Sequence, residues 1–333
     1  MRLAASLLGA VIALGGIAAA QQRAFPQPTP AKEVTVTAIP GVIAAGARWK
    51  LVWQGPDNSD GLVGTKDGGL LFAQEQPSTV GRLDANDRFS IVVRDTRGTG
   101  ALGIDYKERL VGAERTCSDP GGRPDQCKEN ANLTILSPTR QVLASKFGDR
   151  PFWRMGEVVL DSRGGAYFSD ENGTYFVNAA GTVSLVADKT VRTNGMMLSR
   201  DEKTLYLTNG RTIVAFDVQP DGTARNQRDF ATLQSGNGDG ICLDAEGRLY
   251  VTAGDAGIQV FSAEGKSLGT IPLPRSASSC AFSGPSKKVL YAKGAGMTSP
   301  DGKVFTTPPG VRNNAKAIYK IDTIAQGYLG RPK

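Results

Sequence analysis

The chain of 333 residues is 40% hydrophobic and 21% charged, with 41 glycines, 18 prolines and four cysteines. That composition excludes a disordered, collagen-like or disulfide-only chain and leaves a large buried core as the expected outcome. There is no histidine, which removes Ser-His-Asp and Cys-His catalysis, His-rich zinc sites and any imidazole proton shuttle. Acid–base chemistry therefore falls to Asp, Glu, Lys, Tyr, Cys or a metal-bound water.

In chain order, residues 1–20 read as an export signal. Met1 and Arg2 form a short basic start, Leu3 to Ala20 is an apolar run, and Ala18-Ala19-Ala20 supplies a small-residue cleavage site before Gln21. No cysteine follows that site, so a lipid anchor is not expected. The mature chain is expected to be periplasmic or secreted, with no stable membrane insertion after cleavage. Losing Arg2 takes the net charge from +7 to +6. The Lys and Arg residues form no runs and do not interleave with aromatics, so nucleic acid is not an expected partner. Residues 21–46, Pro-rich between Gln22 and Lys32, read as a mobile linker.

From residue 47 to 333 one pattern repeats. A short apolar segment runs into an Asp/Gly turn and then a second apolar strand. Lys66-Asp67-Gly68-Gly69 precedes Leu70-Leu71-Phe72, and Asp161-Ser162-Arg163-Gly164-Gly165 precedes Ala166-Tyr167-Phe168. Asp244-Ala245-Glu246-Gly247 precedes Arg248-Leu249-Tyr250-Val251 in the same way. Counting from Asp60, Ala101, Gly156, Asn194, Asp239 and Ser279, the six copies are spaced 41, 55, 38, 45 and 40 residues apart. Short strands, polar turns and a period near 40 predict an all-β, six-bladed β-propeller in a single domain. Arg48 to Trp53 can pair with the last blade around Ala317–Ile321 and hide its edge, or cap the barrel end. The long second copy holds Cys117 and Cys127, whose turn-rich loop predicts a local disulfide in an exported protein. Cys242 and Cys280 fall inside apolar strand patterns and read as buried small hydrophobes, with a bridge between neighbouring strands left open. Asp170-Glu171-Asn172-Gly173 reads as a hairpin turn.

Propeller blades converge on a central channel, and the residues that open each innermost strand face one mouth of it. In this chain these are Asp60, Glu157, Asn194 and Asp239, three of them followed by Gly. Asn-Gly and Asp-Gly pairs are also what tight turns use. Repetition at equivalent places in successive copies points further, since oxygen ligands from separate blades around an axis suit a hard divalent cation such as Ca²⁺.

At these residues the chain resembles the senescence marker protein/gluconolactonase/luciferin-regenerating enzyme group of six-bladed propellers. The stretch Asp239-Gly240-Ile241-Cys242-Leu243-Asp244-Ala245-Glu246-Gly247-Arg248-Leu249-Tyr250-Val251 is similar to its fifth-blade motif. Arg192-Thr193-Asn194-Gly195-Met196-Met197-Leu198-Ser199 is similar to its fourth, and Asp60-Gly61-Leu62-Val63 to its first. The resemblance implies a hydrolase that opens a sugar lactone or related ester at one divalent metal, Ca²⁺ in the first place and Zn²⁺, Mn²⁺ or Mg²⁺ otherwise. It places the metal on Asp60, Asn194 and Asp239, with Asp239 also the base and Asp60 where the family has Glu. Arg154, Glu157 and Glu114 then line the substrate side, with Gly156 standing where the family has Asn. Gly100-Ala101-Leu102 departs from the Asn-Gly-Leu of the family's second blade. The competing expectation is a non-catalytic propeller that binds a ligand or protein through a degenerate metal site.

Overall fold

The computed structural model describes residues 25–115 and 130–331. The predicted signal segment and the Cys117/Cys127 pair lie outside the described residues. Six antiparallel four-stranded sheets account for almost all of the strand structure, arranged as the predicted propeller. The innermost strands are Ser59–Gly64, Ala101–Ile104, Val158–Leu160, Met196–Leu198, Ile241–Leu243 and Ala277–Ser283. Each begins within two residues of the copy boundary read from the sequence.

The gradient of burial within each blade explains why these segments are strands. Leu70–Gln74, Ala166–Asp170 and Leu249–Thr252, each second in its blade, are buried on both faces. The outermost strands, such as Phe89–Arg94 and Ala224–Thr232, face solvent along most of their length. Both-face burial selects continuous apolar runs, which is what the sequence shows at the second strands. Neighbouring blades pack through aromatic rings: Trp53 lies on Phe72 across blades 6 and 1 at 4.8 Å, and Tyr250 meets Phe282 edge-on across blades 5 and 6 at 4.9 Å.

Ring closure takes the first of the two expected forms. Lys50–Gly55 is the outer strand of the last blade, antiparallel to Lys316–Asp322 with Lys50 opposite Lys320 and Gly55 opposite Lys316. The exposed edge of blade 6 is thus covered by the chain's own beginning.

Residues 25–47 differ from the linker reading. Val36, Ile39, Val42 and Ile43 are at most 3% exposed and sit in the core cluster of blades 5 and 6. Backbone bonds fix the same stretch, with Lys32 N–H donating to Pro274 and the Ile324 and Ala325 amides donating to the Val42 carbonyl. The alternation Val34-Val36-Ile39 and then Val42-Ile43 supplies apolar side chains that a solvated linker would not carry. The segment is a strap. No disulfide joins Cys242 and Cys280; their sulfurs lie 2.9 Å apart, fully buried in the seam between blades 5 and 6.

The repeated Asp turns are structural. Asp105 Oδ1 accepts from the Lys107 and Arg109 amides while Oδ2 takes Arg109 Nε at 2.7 Å, and Asp244 does the same with Glu246 and Arg248. Each carboxylate closes the turn that joins the first two strands. All these turns gather at one end of the propeller. The residues that open the inner strands gather at the other.

Candidate functional site at the channel mouth

Antiparallel pairing puts the start of each inner strand beside the end of the second strand. Asp60 faces Ala73, Met196 faces Leu207, Ile241 faces Val251, and Ser279 faces Lys293. The mouth is therefore built from Asp60, Glu157, Asn194 and Asp239 on one set of strands, and from Glu75, Arg115, Asp170 and Lys293 at or just beyond the ends of the other.

The glycines after Asn194 and Asp239 act differently from the turn reading. Gly61 has φ of +58°, but Gly195 and Gly240 lie outside the left-handed region. Their role is clearance. A Cβ on Gly195 would lie 1.9 Å from the Asp239 carbonyl oxygen, and one on Gly240 would lie 3.0 Å from Ser279 Cα. The inner strands approach so closely at the axis that only glycine leaves room for the next blade. Asn194 and Asp239 are thereby carried onto adjacent blades, and both line one open cleft of about 760 Å³ with Asn237, Asp255, Ser276 and Ser278. Asn194 is exposed to that cleft and Asp239 is half-buried in it.

Asp60 is held in a separate ion network. Its Oδ2 lies 2.8 Å from Lys293 Nζ, and its Oδ1 accepts the Gly61 amide at 3.0 Å. Lys293 is buried, with 2% of its side chain exposed. Burial alone would raise the Asp60 carboxyl, but Lys293, joined by Arg115 and the Gly61 amide, holds it below its usual value. Beside it, Arg115 Nη1 pairs with Glu75 Oε2 at 3.0 Å and Arg115 Nε donates to the Met155 carbonyl at 2.8 Å; Asn58 donates to the same Glu75 oxygen. Burial, with Lys293 next, pushes the Lys316 ammonium down to about 8.

The residues expected on the substrate side are dispersed. Arg154 pairs with Glu171 at 3.1 Å on the rim of blade 3. Glu157 is buried, its amide taken by Ser169 Oγ and its Oε1 accepting the Val158 amide at 3.2 Å. Glu114 is fully buried and paired with Arg140, and burial pushes its carboxyl upward. That arrangement is structural. A Cβ on Gly156 would fall 2.7 Å from Ser169 Oγ, the oxygen that holds the Glu157 amide. Asp170–Gly173 is a hairpin corner as read, with Asp170 Oδ1 accepting the Asn172 amide and Oδ2 on Arg150 at 2.8 Å.

A set of oxygen ligands for a dication needs several donors and net negative charge. Among the described residues no three acidic or cysteine side chains come together to hold a metal ion. Asn194 and Asp239 share a cleft, but both Asp60 oxygens are engaged and a buried ammonium sits on one of them. The expected three-residue set does not fit a divalent cation. Lys293, Arg115 and Glu75 were missed in the sequence, although a lysine inside Val289-Leu290-Tyr291-Ala292-Lys293-Gly294-Ala295 is the kind of lone charge in a buried strand that requires a partner.

A second cavity of about 440 Å³ lies at the opposite end. Asp105 and Asp161 line it, but their carboxylates are consumed by the turns they close, and the terminal residues Leu329–Arg331 seat against it. Arg331 donates to the Leu198 carbonyl at 2.6 Å and to Glu202 at 3.1 Å. The polar groups at this end are taken up by turn and chain-end contacts, whereas Asn194 and Asp239 face the open cleft at the inner-strand mouth, which is the candidate site.

A six-bladed propeller with polar residues repeated at the openings of its inner strands defines the class. Within that class, the family model described as the SMP-30/gluconolactonase/LRE-like region matches residues 128–295, and the chain belongs to this family. Regucalcin of Xenopus laevis is 34% identical over 111 residues, 31% of this chain and 37% of the frog protein. Lactonase drp35 of Staphylococcus saprophyticus is 31% identical over 135 residues, 35% of this chain and 41% of its own length. The match thus spans about two-fifths of these curated relatives. A gluconolactonase structure from Xanthomonas campestris superposes with a TM-score of 0.69 at 20% identity, covering 91% of this chain and 99% of that one. At that identity the likeness is one of fold.

Proposed function

We propose that the protein is a lactone hydrolase whose reaction takes place in the cleft at the inner-strand mouth. The observation that carries this reading is the convergence of Asn194 and Asp239, from adjacent blades, on one open polar cleft in a chain of the gluconolactonase family. The similarity to a lactonase and a gluconolactonase supports the substrate class. Asp239 is the base: it takes a proton from water as the oxygen attacks the lactone carbonyl carbon. The Asn194 side-chain amide, which lines the same cleft, is the donor for the oxygen that becomes negative. Collapse breaks the ring C–O bond, and the ring oxygen takes the proton back from Asp239 and leaves as a hydroxyl, giving one hydroxy acid and restoring the carboxylate. Ser276, Ser278, Asn237 and Asp255 offer hydrogen bonds to substrate hydroxyls, which favours a sugar lactone. The apolar Leu3–Ala20 run supports a site of action outside the cytoplasm.

The metal-dependent form of this reaction and the binding-only propeller are the competing versions, the second favoured by the Lys293–Asp60 contact. Acid release from a panel of aldono-, γ- and δ-lactones separates them, run with Ca²⁺, Zn²⁺, Mn²⁺ or Mg²⁺ and after EDTA. Hydrolysis that survives EDTA supports Asp239 acting directly on water. Hydrolysis lost to EDTA and restored by one metal supports the metal-dependent form. No release under any condition leaves the binding propeller.

A further inference from the structure

We propose that Lys293 is the protein's own resident cation at the channel mouth, occupying Asp60 in the place a divalent ion would take and excluding that ion. The inference rests on the mouth being the functional site but not on hydrolysis itself.

Three observations carry it. The first is occupancy. Each carboxylate oxygen of Asp60 already has a partner, Lys293 Nζ at 2.8 Å on one and the Gly61 amide at 3.0 Å on the other. The second is rigidity. The backbone after Asp60 packs closely on blade 2: a Cβ on Gly61, which holds φ of +58°, would lie 2.5 Å from the Leu102 amide nitrogen. On the other side, Lys293 is set in a strand paired on both edges, facing Ser279 and Ile318. The third is charge. Around Asp60 and Glu75 stand Lys293, Arg115 and Lys316, so an incoming dication meets a field already balanced by cations.

Displacing Lys293 from Asp60 would leave an ammonium that is 2% exposed without its carboxylate. A buried charge stripped of its partner is strongly unfavourable, and a metal ion would have to supply that difference from its own binding. The sequence supports the same conclusion. The charge is delivered from the second strand of blade 6, next to the inner strand that carries Ser279, so the ring itself brings the cation to the first blade.

Calcium titration by calorimetry, with Mn²⁺ as a second probe, tests this without reference to turnover. In the wild-type protein, Asp60→Asn should leave the affinity for either ion unchanged. Lys293→Met keeps the length and apolar stem of the side chain while removing its charge, and should raise Ca²⁺ affinity by about a hundredfold. Lys293→Met combined with Asp60→Asn should lose that gain, and Lys293→Arg should behave as wild type. Micromolar Ca²⁺ binding by the wild type that Asp60→Asn abolishes would overturn the proposal. So would a Lys293→Met protein with wild-type circular dichroism and no gain. Should Lys293→Met fail to fold, the wild-type and Asp60→Asn pair still decides. Failure of the lactonase reading appears only in acid release, so the two are told apart.

Discussion

Gly195 offers the sharpest test of how the fold builds the site. In Gly195→Ala the added Cβ would stand 1.9 Å from the Asp239 carbonyl oxygen, whereas real Cβ contacts essentially never fall under 3.0 Å. One of the two inner strands must therefore retreat by more than about 1 Å, and the obstacle is backbone, which cannot rotate aside. Forced expansion of a packed interior costs about 1–3 kcal/mol or more. The backbone conformation itself is not at issue, because Gly195 lies outside the left-handed region. Either retreat changes the position of Asp239 relative to Asn194 across the cleft, and a misplacement of that size is worth roughly a hundredfold in rate. Gly181→Ala is the control: Gly181 has φ of +84° and nothing within 4 Å of an added methyl, so its cost is confined to the backbone, about 1–2 kcal/mol. Thermal melting and lactone hydrolysis should show Gly195→Ala losing both stability and activity, and Gly181→Ala losing stability alone. A Gly195→Ala protein with wild-type melting and rate would refute the clearance argument.

Ile43→Ala empties a fully buried position in the strap and should cost about 2–5 kcal/mol, read as a lower melting temperature; a change within error would return the segment to a linker. Lys287, whose Nζ donates to the Tyr328 carbonyl at 2.9 Å, is pushed down to about 8 by burial. The unfolded chain keeps that proton until about 10.5 while the folded chain releases it near 8, so wild-type stability gains a rising contribution between those pH values. Melting curves of Lys287→Met should lack that rise relative to wild type. Identical pH profiles would show that Lys287 stays protonated in the folded state.

Blade number, copy boundaries and strand order were legible because each blade repeats one local grammar. Buried second strands such as Leu249–Thr252 demand apolar runs, and turns such as Asp244–Arg248 demand an acceptor at a fixed offset. The placement of Asn194 and Asp239 on adjacent blades was legible for the same reason. They occupy equivalent places in successive copies. Asp60 occupies an equivalent place too, yet its partner Lys293 lies more than 200 residues away and meets it only when the ring closes. Glu114 and Arg115 show the same limit at shorter range: adjacent in sequence, one pairs with Arg140 and the other with Glu75 at the mouth. The strap was misread because three of its four prolines, Pro26, Pro28 and Pro30, precede the apolar residues that anchor it, and only Pro40 falls among them. Proline content described one half of the segment and concealed the other.

We propose Asp239 as the base of a lactone hydrolase at this mouth. The most direct measurement compares kcat/KM of wild type and Asp239→Asn on the best lactone of the panel, with both proteins shown to be folded by melting. The expected result is a loss of at least about a hundredfold in Asp239→Asn at a melting temperature close to wild type. Equal kcat/KM in the two proteins would contradict the claim and move the chemistry away from this cleft.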